Sequence, residues 1–162
     1  MKPVKVVFLL CYLICTLIVL SCSEETEEPD ISSDYFEAYI NDVHFNADDV
    51  VLILRGDYID IIGNNPKTDQ SIFLTLKRSG KDVYIFGRSS GNGDGNEAAF
   101  YNRSSSDEYT TSYLSENCGE VKLDVSKWDQ GMVSGEFYFE ASNKKNKMIQ
   151  VSGGKFEKNF YE

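Results

Sequence analysis

Apolar and polar residues alternate with a period of two over most of the chain beyond residue 34. Tyr35–Ile40 alternates, the Asn41-Asp42 pair marks a turn, and Val43–Ala47 continues the pattern. Val50–Leu54 is a continuous apolar run, the pattern of a strand buried on both faces. Tyr58–Ile62 follows a glycine-containing turn, and Asn64-Asn65-Pro66 is a strong breaker. Ser71–Lys77 puts Ile72, Leu74 and Leu76 on one face and Phe73 and Thr75 on the other. Asp82–Phe86, Glu97–Tyr101, Tyr109–Leu114 and Glu120–Val125 read as further short strands. Met132–Ala141 holds Phe137 and Phe139 between Glu136, Tyr138 and Glu140. Lys147–Val151, a Gly153-Gly154 turn and Lys155–Tyr161 read as a closing hairpin. About ten short strands with no 3.6-residue period predict an all-β fold. The expectation is one antiparallel sandwich or barrel-like domain over residues 35–162.

The N-terminus departs from this pattern. Lys2 and Lys5 precede an apolar run from Val6 to Leu20, the layout of a signal peptide over residues 1–21. The run is short for a membrane span, which needs about 20 apolar residues. It ends in Val19-Leu20-Ser21-Cys22, which resembles a bacterial lipobox. The resemblance implies cleavage after Ser21, a diacylglyceryl thioether on Cys22, and acylation of the new amine, with palmitate as the typical chain. Two or more chains give stable anchoring, at about 0.8 kcal/mol per buried methylene. The bilayer would then be a partner through Cys22. A cleaved secretory signal or an uncleaved anchor is the plainer alternative.

Residues 22–34 hold Glu24, Glu25, Glu27, Glu28, Asp30 and Asp34 and no base. Such a stretch cannot bury enough apolar surface to offset its ordering entropy, so it reads as a flexible tether. Acid directly after the lipid-bearing Cys resembles the export signal of surface lipoproteins in Bacteroidetes-type bacteria. The implied address is the outer membrane with surface exposure; the periplasmic face is the alternative.

Charge sharpens the division. The 162 residues carry 16 Lys+Arg, 26 Asp+Glu and one His, a net charge of −10. Removing the six tether acids leaves 20 acids, and removing Lys2 and Lys5 leaves 14 bases, so the β domain carries −6. That is ordinary for a soluble domain. A duplex nucleic-acid binder needs a basic surplus to neutralise phosphates, and this chain has none.

Candidate chemistry is sparse. Of four Cys only Cys118 falls in the β domain, so no intrachain disulfide framework is expected. Cys118 as a nucleophile would need a base, and His44 is the single imidazole, so a small buried hydrophobe is the expected role. Asn92, Asp94 and Asn96 stand at alternate positions, an oxygen-ligand spacing suited to calcium. The EF-hand pattern fails because Arg103 stands where its final Glu belongs, and a glycine-rich loop is the plainer reading. Arg55-Gly56-Asp57 reads as a turn between strands rather than an adhesion triplet. No pair of acids can be singled out for glycoside hydrolysis. Tyr101, Tyr109, Tyr113 and Trp128 fall in or near the irregular central stretch and form the candidate ligand-binding set, since an amphipathic ring can stack on a sugar while its polar group stays wet. Cross-strand aromatic packing is the alternative. No cofactor is implied.

Several segments together carry a family resemblance: Phe36-Glu37-Ala38-Tyr39-Ile40-Asn41-Asp42, Asp82-Val83-Tyr84-Ile85-Phe86-Gly87, Ala98-Ala99-Phe100-Tyr101, Gly119-Glu120-Val121-Lys122-Leu123-Asp124-Val125, Val133-Ser134-Gly135-Glu136-Phe137-Tyr138-Phe139 and Gly153-Gly154-Lys155-Phe156. In order and spacing the chain resembles uncharacterised Bacteroidetes-type lipoproteins with a β-rich domain of unknown function. Asp42 stands where that family usually has Gly, and Glu136 where it usually has Thr. The resemblance implies a lipid-anchored β domain and brings no catalytic residues with it. The functional expectation is a non-catalytic binding or accessory module of the envelope, with a glycan or an envelope protein as ligand. A purely structural envelope role and a glycoside or ester hydrolase are the alternatives.

Overall fold

The computed structural model describes residues 34–87, 95–115 and 117–160. The expected signal segment, Cys22, the tether before Asp34, and Asn92 and Asp94 lie outside them. Eleven strands form one antiparallel sheet: β1 (Tyr35–Ile40), β2 (Val43–Asn46), β3 (Asp49–Arg55), β4 (Tyr58–Asn65), β5 (Gln70–Lys77), β6 (Val83–Phe86), β7 (Glu97–Asn102), β8 (Asp107–Thr110), β9 (Gly119–Asp124), β10 (Met132–Ser142) and β11 (Met148–Asn159). Neighbours run β2-β1-β11-β10-β8-β7-β5-β4-β3. β10 is the branch point. Its Ser134–Phe139 segment pairs with β9, which carries β6, and its Ser142 pairs with Thr110 of β8 on the same edge. The sheet curls into a half-barrel with one inner face.

Period-two alternation fills that inner face. Ile59 and Ile61 of β4, Ile72, Leu74 and Leu76 of β5, Phe137, Phe139 and Ala141 of β10 all lie within it, each under one-tenth exposed. Phe36 of β1 is at the centre, with ring centroids 5.1 Å from Phe137, 6.1 Å from Phe156 and 6.2 Å from Phe45. Gly63 of β4 makes room for it: a Cβ there would lie 2.4 Å from the Phe36 ring.

Three sequence expectations change. The closing hairpin is absent; Met148–Asn159 is one continuous strand, and the turn sits earlier, where Asn143 Oδ1 accepts from the Lys145 and Lys147 amides at 2.9 and 3.0 Å. Gly153-Gly154 is a bulge within β11. Phe137 and Phe139 of β10 oppose Gly154 and Val151, and Glu37 and Tyr39 of β1 oppose Lys155 and Ser152, so β11 carries one extra residue against both partners. Val151 and Phe156 are five apart and would otherwise face opposite sides; the extra residue brings both into the core. Gly153 has φ +57, and a Cβ at Gly154 would lie 2.5 Å from the Phe137 ring.

The strand expected over Tyr109–Leu114 stops at Thr110 and becomes a 3₁₀ turn, Thr111–Tyr113. Thr110 Oγ1 accepts from the Ser112 amide at 3.1 Å, and Thr111 Oγ1 accepts from the Ala98 amide at 3.0 Å. These hydroxyl bonds replace a ladder with local closure. Finally, the apolar run Val50–Leu54 is not buried on both faces. Val50 is buried, but Ile53 and Leu54 are 43% and 52% exposed, because β3 ends the strand order.

Candidate functional site

The four candidate aromatics separate into three places. Tyr101 of β7 lies on the outer face of the sheet, its ring 5.0 Å from Phe73 and its hydroxyl donating to Glu108 Oε1 at 3.2 Å. Burial, then the Glu108 carboxylate, pushes this phenol up to about 12, and the nearby Glu97 and Tyr113 add to the effect. Tyr113 is exposed at the end of the 3₁₀ turn, near Tyr101. Tyr109 points the other way. It pairs across the ladder with the buried Phe100, ring centroids 6.2 Å apart, and lines a small cleft of about 280 Å³ with Gln70, Asn102 and Ile149.

Trp128 occupies a third place, past the far end of β5. It sits in the 3₁₀ turn Val125–Gln130, which follows directly on β9. Asp124 Oδ1 caps this turn, accepting from the Ser126 amide at 3.0 Å and hydroxyl at 2.6 Å, and both bonds hold its carboxyl below the ordinary range. Gly131, at φ +76, ends it. The indole rests against Phe160 with centroids 5.4 Å apart, and the Phe160 amide donates to the Gly131 carbonyl at 2.8 Å.

Trp128 borders a cleft of about 660 Å³. Ile59, Tyr84 and Leu123 line it from the core. Asp57, Asp82 and Asp129 supply carboxylates, and Arg78 and Lys81 supply cations. Two backbone bonds fix the loops that carry them: Arg78 N–H to the Asp57 carbonyl at 2.6 Å, and Leu123 N–H to the Asp82 carbonyl at 2.7 Å. An aromatic and aliphatic base with a mixed-charge polar rim suits a polyhydroxylated ligand that stacks through one face and hydrogen-bonds through its edge. Gln70 and Lys77 bound β5, roughly 23 Å apart at strand rise, so the Tyr109 and Trp128 clefts lie at opposite ends of the half-barrel.

Residues 32–159 match the family model of a domain of unknown function, DUF6252. The chain belongs to this family. Neither the curated proteins nor the solved structures give a match. The DUF6252 domain thus spans the whole β domain, and its boundaries agree with where the strand pattern begins and ends.

Other sequence candidates in the domain are taken up by structure. Asn96 is buried; its Oδ1 accepts from the Lys77 amide at 2.9 Å and its Nδ2 donates to the Ile85 carbonyl at 3.3 Å. Among the described residues no group of three His, Cys, Asp or Glu could hold a metal. The Cys118 thiol donates to the Thr111 carbonyl at 3.9 Å, and burial raises its pKa, the opposite of what activates a thiolate nucleophile. Arg55 grips Asp60 through Nε and Nη2 at 2.8 and 3.1 Å, so the Arg-Gly-Asp stretch is the β3–β4 turn. No local pattern singles out Tyr84, Asp82 or Arg78 as site residues. They belong to strands and turns that read as ordinary, and only the sheet's curl brings them beside Trp128.

Proposed function

We propose that this protein is a lipid-anchored envelope lipoprotein of the outer membrane, surface-exposed, whose β domain is a non-catalytic module that takes a carbohydrate into the Trp128 cleft. The cleft carries the reading: an indole and Tyr84 beside three carboxylates and two cations, in a volume fit for one or two sugar rings. The Val19-Leu20-Ser21-Cys22 stretch and the acids behind it support the anchor and the address. Fractionation tests the anchor: Cys22→Ala should move the protein out of carbonate-washed membranes, and its retention there would refute lipidation.

The ligand is tested by retention of the full chain on an immobilised glycan panel. Trp128→Ala should abolish retention. Because Trp128 also packs on Phe160, Asp82→Ala serves as the second variant; its backbone carbonyl still accepts from Leu123, so the fold should melt within a degree or two of wild type. Wild type that binds no glycan, or binding that survives both substitutions, would sink the proposal.

A further inference from the structure

β3 is the longest strand with a single partner among the described residues, and its free edge is chemically self-complementary. On the other side of β4, the Arg78 amide donates to the Asp57 carbonyl at 2.6 Å. Alternation along β4 then turns the backbone groups of Tyr58, Asp60 and Ile62 toward β3, where they meet Arg55, Ile53 and Val51. The N–H and C=O groups of Val50, Leu52 and Leu54 are left pointing off the sheet, with no partner among the described residues.

Such an edge is normally blunted by Pro, Lys, a bulge or a covering element. Among the described residues β3 carries no Pro, Lys or bulge. It reads Asp49-Val50-Val51-Leu52-Ile53-Leu54-Arg55, its ladder with β4 is regular, and Ile53 and Leu54 are 43% and 52% exposed. The other single-partner strands, β2 and β6, are four residues each, and Asn96 already bonds to Ile85 of β6.

We propose that β3 pairs antiparallel with β3 of a second copy of this chain. Turned about Leu52, the strand matches itself. Asp49 faces Arg55, Val50 faces Leu54, Val51 faces Ile53, and Leu52 faces Leu52. Every pair joins residues from the same face of the sheet, as pleating requires. Both ends place opposite charges across the strands, and the Arg55 side chain, 65% exposed, reaches outward while it holds Asp60. The outward groups of Val50, Leu52 and Leu54 supply about six hydrogen bonds. In this register the outer row Val51, Ile62, Phe73 meets Ile53 of the second copy, whose own row runs on to Asp60 and Thr75. The contact is isologous, so it closes at two copies and consumes both edges.

Sedimentation equilibrium of the full chain in density-matched detergent tests this. Wild type should sediment at twice the monomer mass. Ile53→Lys should weaken association by about tenfold or more. Asp49→Lys and Arg55→Glu should each be monomeric alone, because like charges then face each other at both ends, and mixing the two should restore the dimer. A wild type that stays monomeric at all concentrations overturns the proposal. So does a dimer indifferent to Ile53→Lys, and so does a mixture no more associated than either variant alone.

Discussion

β3 and β11 invert what their compositions suggest. β3 is almost wholly apolar, with five aliphatic residues in a row, yet it lies at the end of the sheet with one partner. β11 carries Gln150, Ser152, two glycines, three charged residues and Asn159, yet it runs through the middle of the sheet with β1 and β10 on its two edges. Strand position is thus decided by who pairs with whom, and hydrophobicity decides only which face is turned inward. β11 needs few large residues because Phe36, Phe137 and Phe156 close over its bulge. β3 keeps a surplus of apolar side chains that its own sheet does not cover.

The sharpest way to break this contrast is at the bulge. Gly154→Val should destabilise the domain by roughly 3 kcal/mol or more, since the new side chain meets the buried Phe137 ring. Denaturant unfolding measures it, and a loss under about 1 kcal/mol would mean that β11 is not held as described. On β3 the same experiment should register little. Ile53→Lys replaces an exposed side chain and should shift stability by about 0.5 kcal/mol or less at low protein concentration, where the dimer is absent. A large loss there would place Ile53 in the core of the single chain and end the comparison.

The smallest effect belongs to the outer face between these strands. The Tyr101 phenol is raised to about 12 from 10.0, so the folded state keeps its proton longer than the unfolded state. Its contribution is complete below pH 10 and is lost as pH climbs through about 12. Tyr101→Phe should flatten the fall in melting temperature over that window, and alkaline tyrosinate absorbance should show one fewer late-titrating group. An identical alkaline profile in the variant would show that the hydroxyl is free in water.

Much of the architecture could be read along the chain. The strands expected over Tyr35–Ile40, Val43–Ala47 and Ser71–Lys77, which the structure places within a residue, and the Phe137–Phe139 pair follow from alternation, because each needs only one buried face. The Gly153-Gly154 pair misled as a turn because a bulge and a turn use the same residues. They differ in whether neighbouring strands continue past them, and β1 and β10 both do. Thr110 and Thr111 misled as strand because β-branched residues also suit the caps of short turns. Of the site, Trp128 stands out as the single indole in the chain, but only nearness in sequence groups Tyr101, Tyr109 and Tyr113 with it. Adjacent strand residues point to opposite faces, which sends Tyr101 outward while Tyr109 pairs with Phe100.

By itself, then, the sequence determined the fold class, the inward residues of the regularly alternating strands and the concentration of acid ahead of the domain, since these depend on local alternation and composition. Pairing order, the free edge of β3 and the gathering of Tyr84, Asp82 and Arg78 beside Trp128 were decided only by the tertiary structure. They depend on how one long sheet curls and branches at β10, and that geometry is fixed by contacts between residues far apart in the chain.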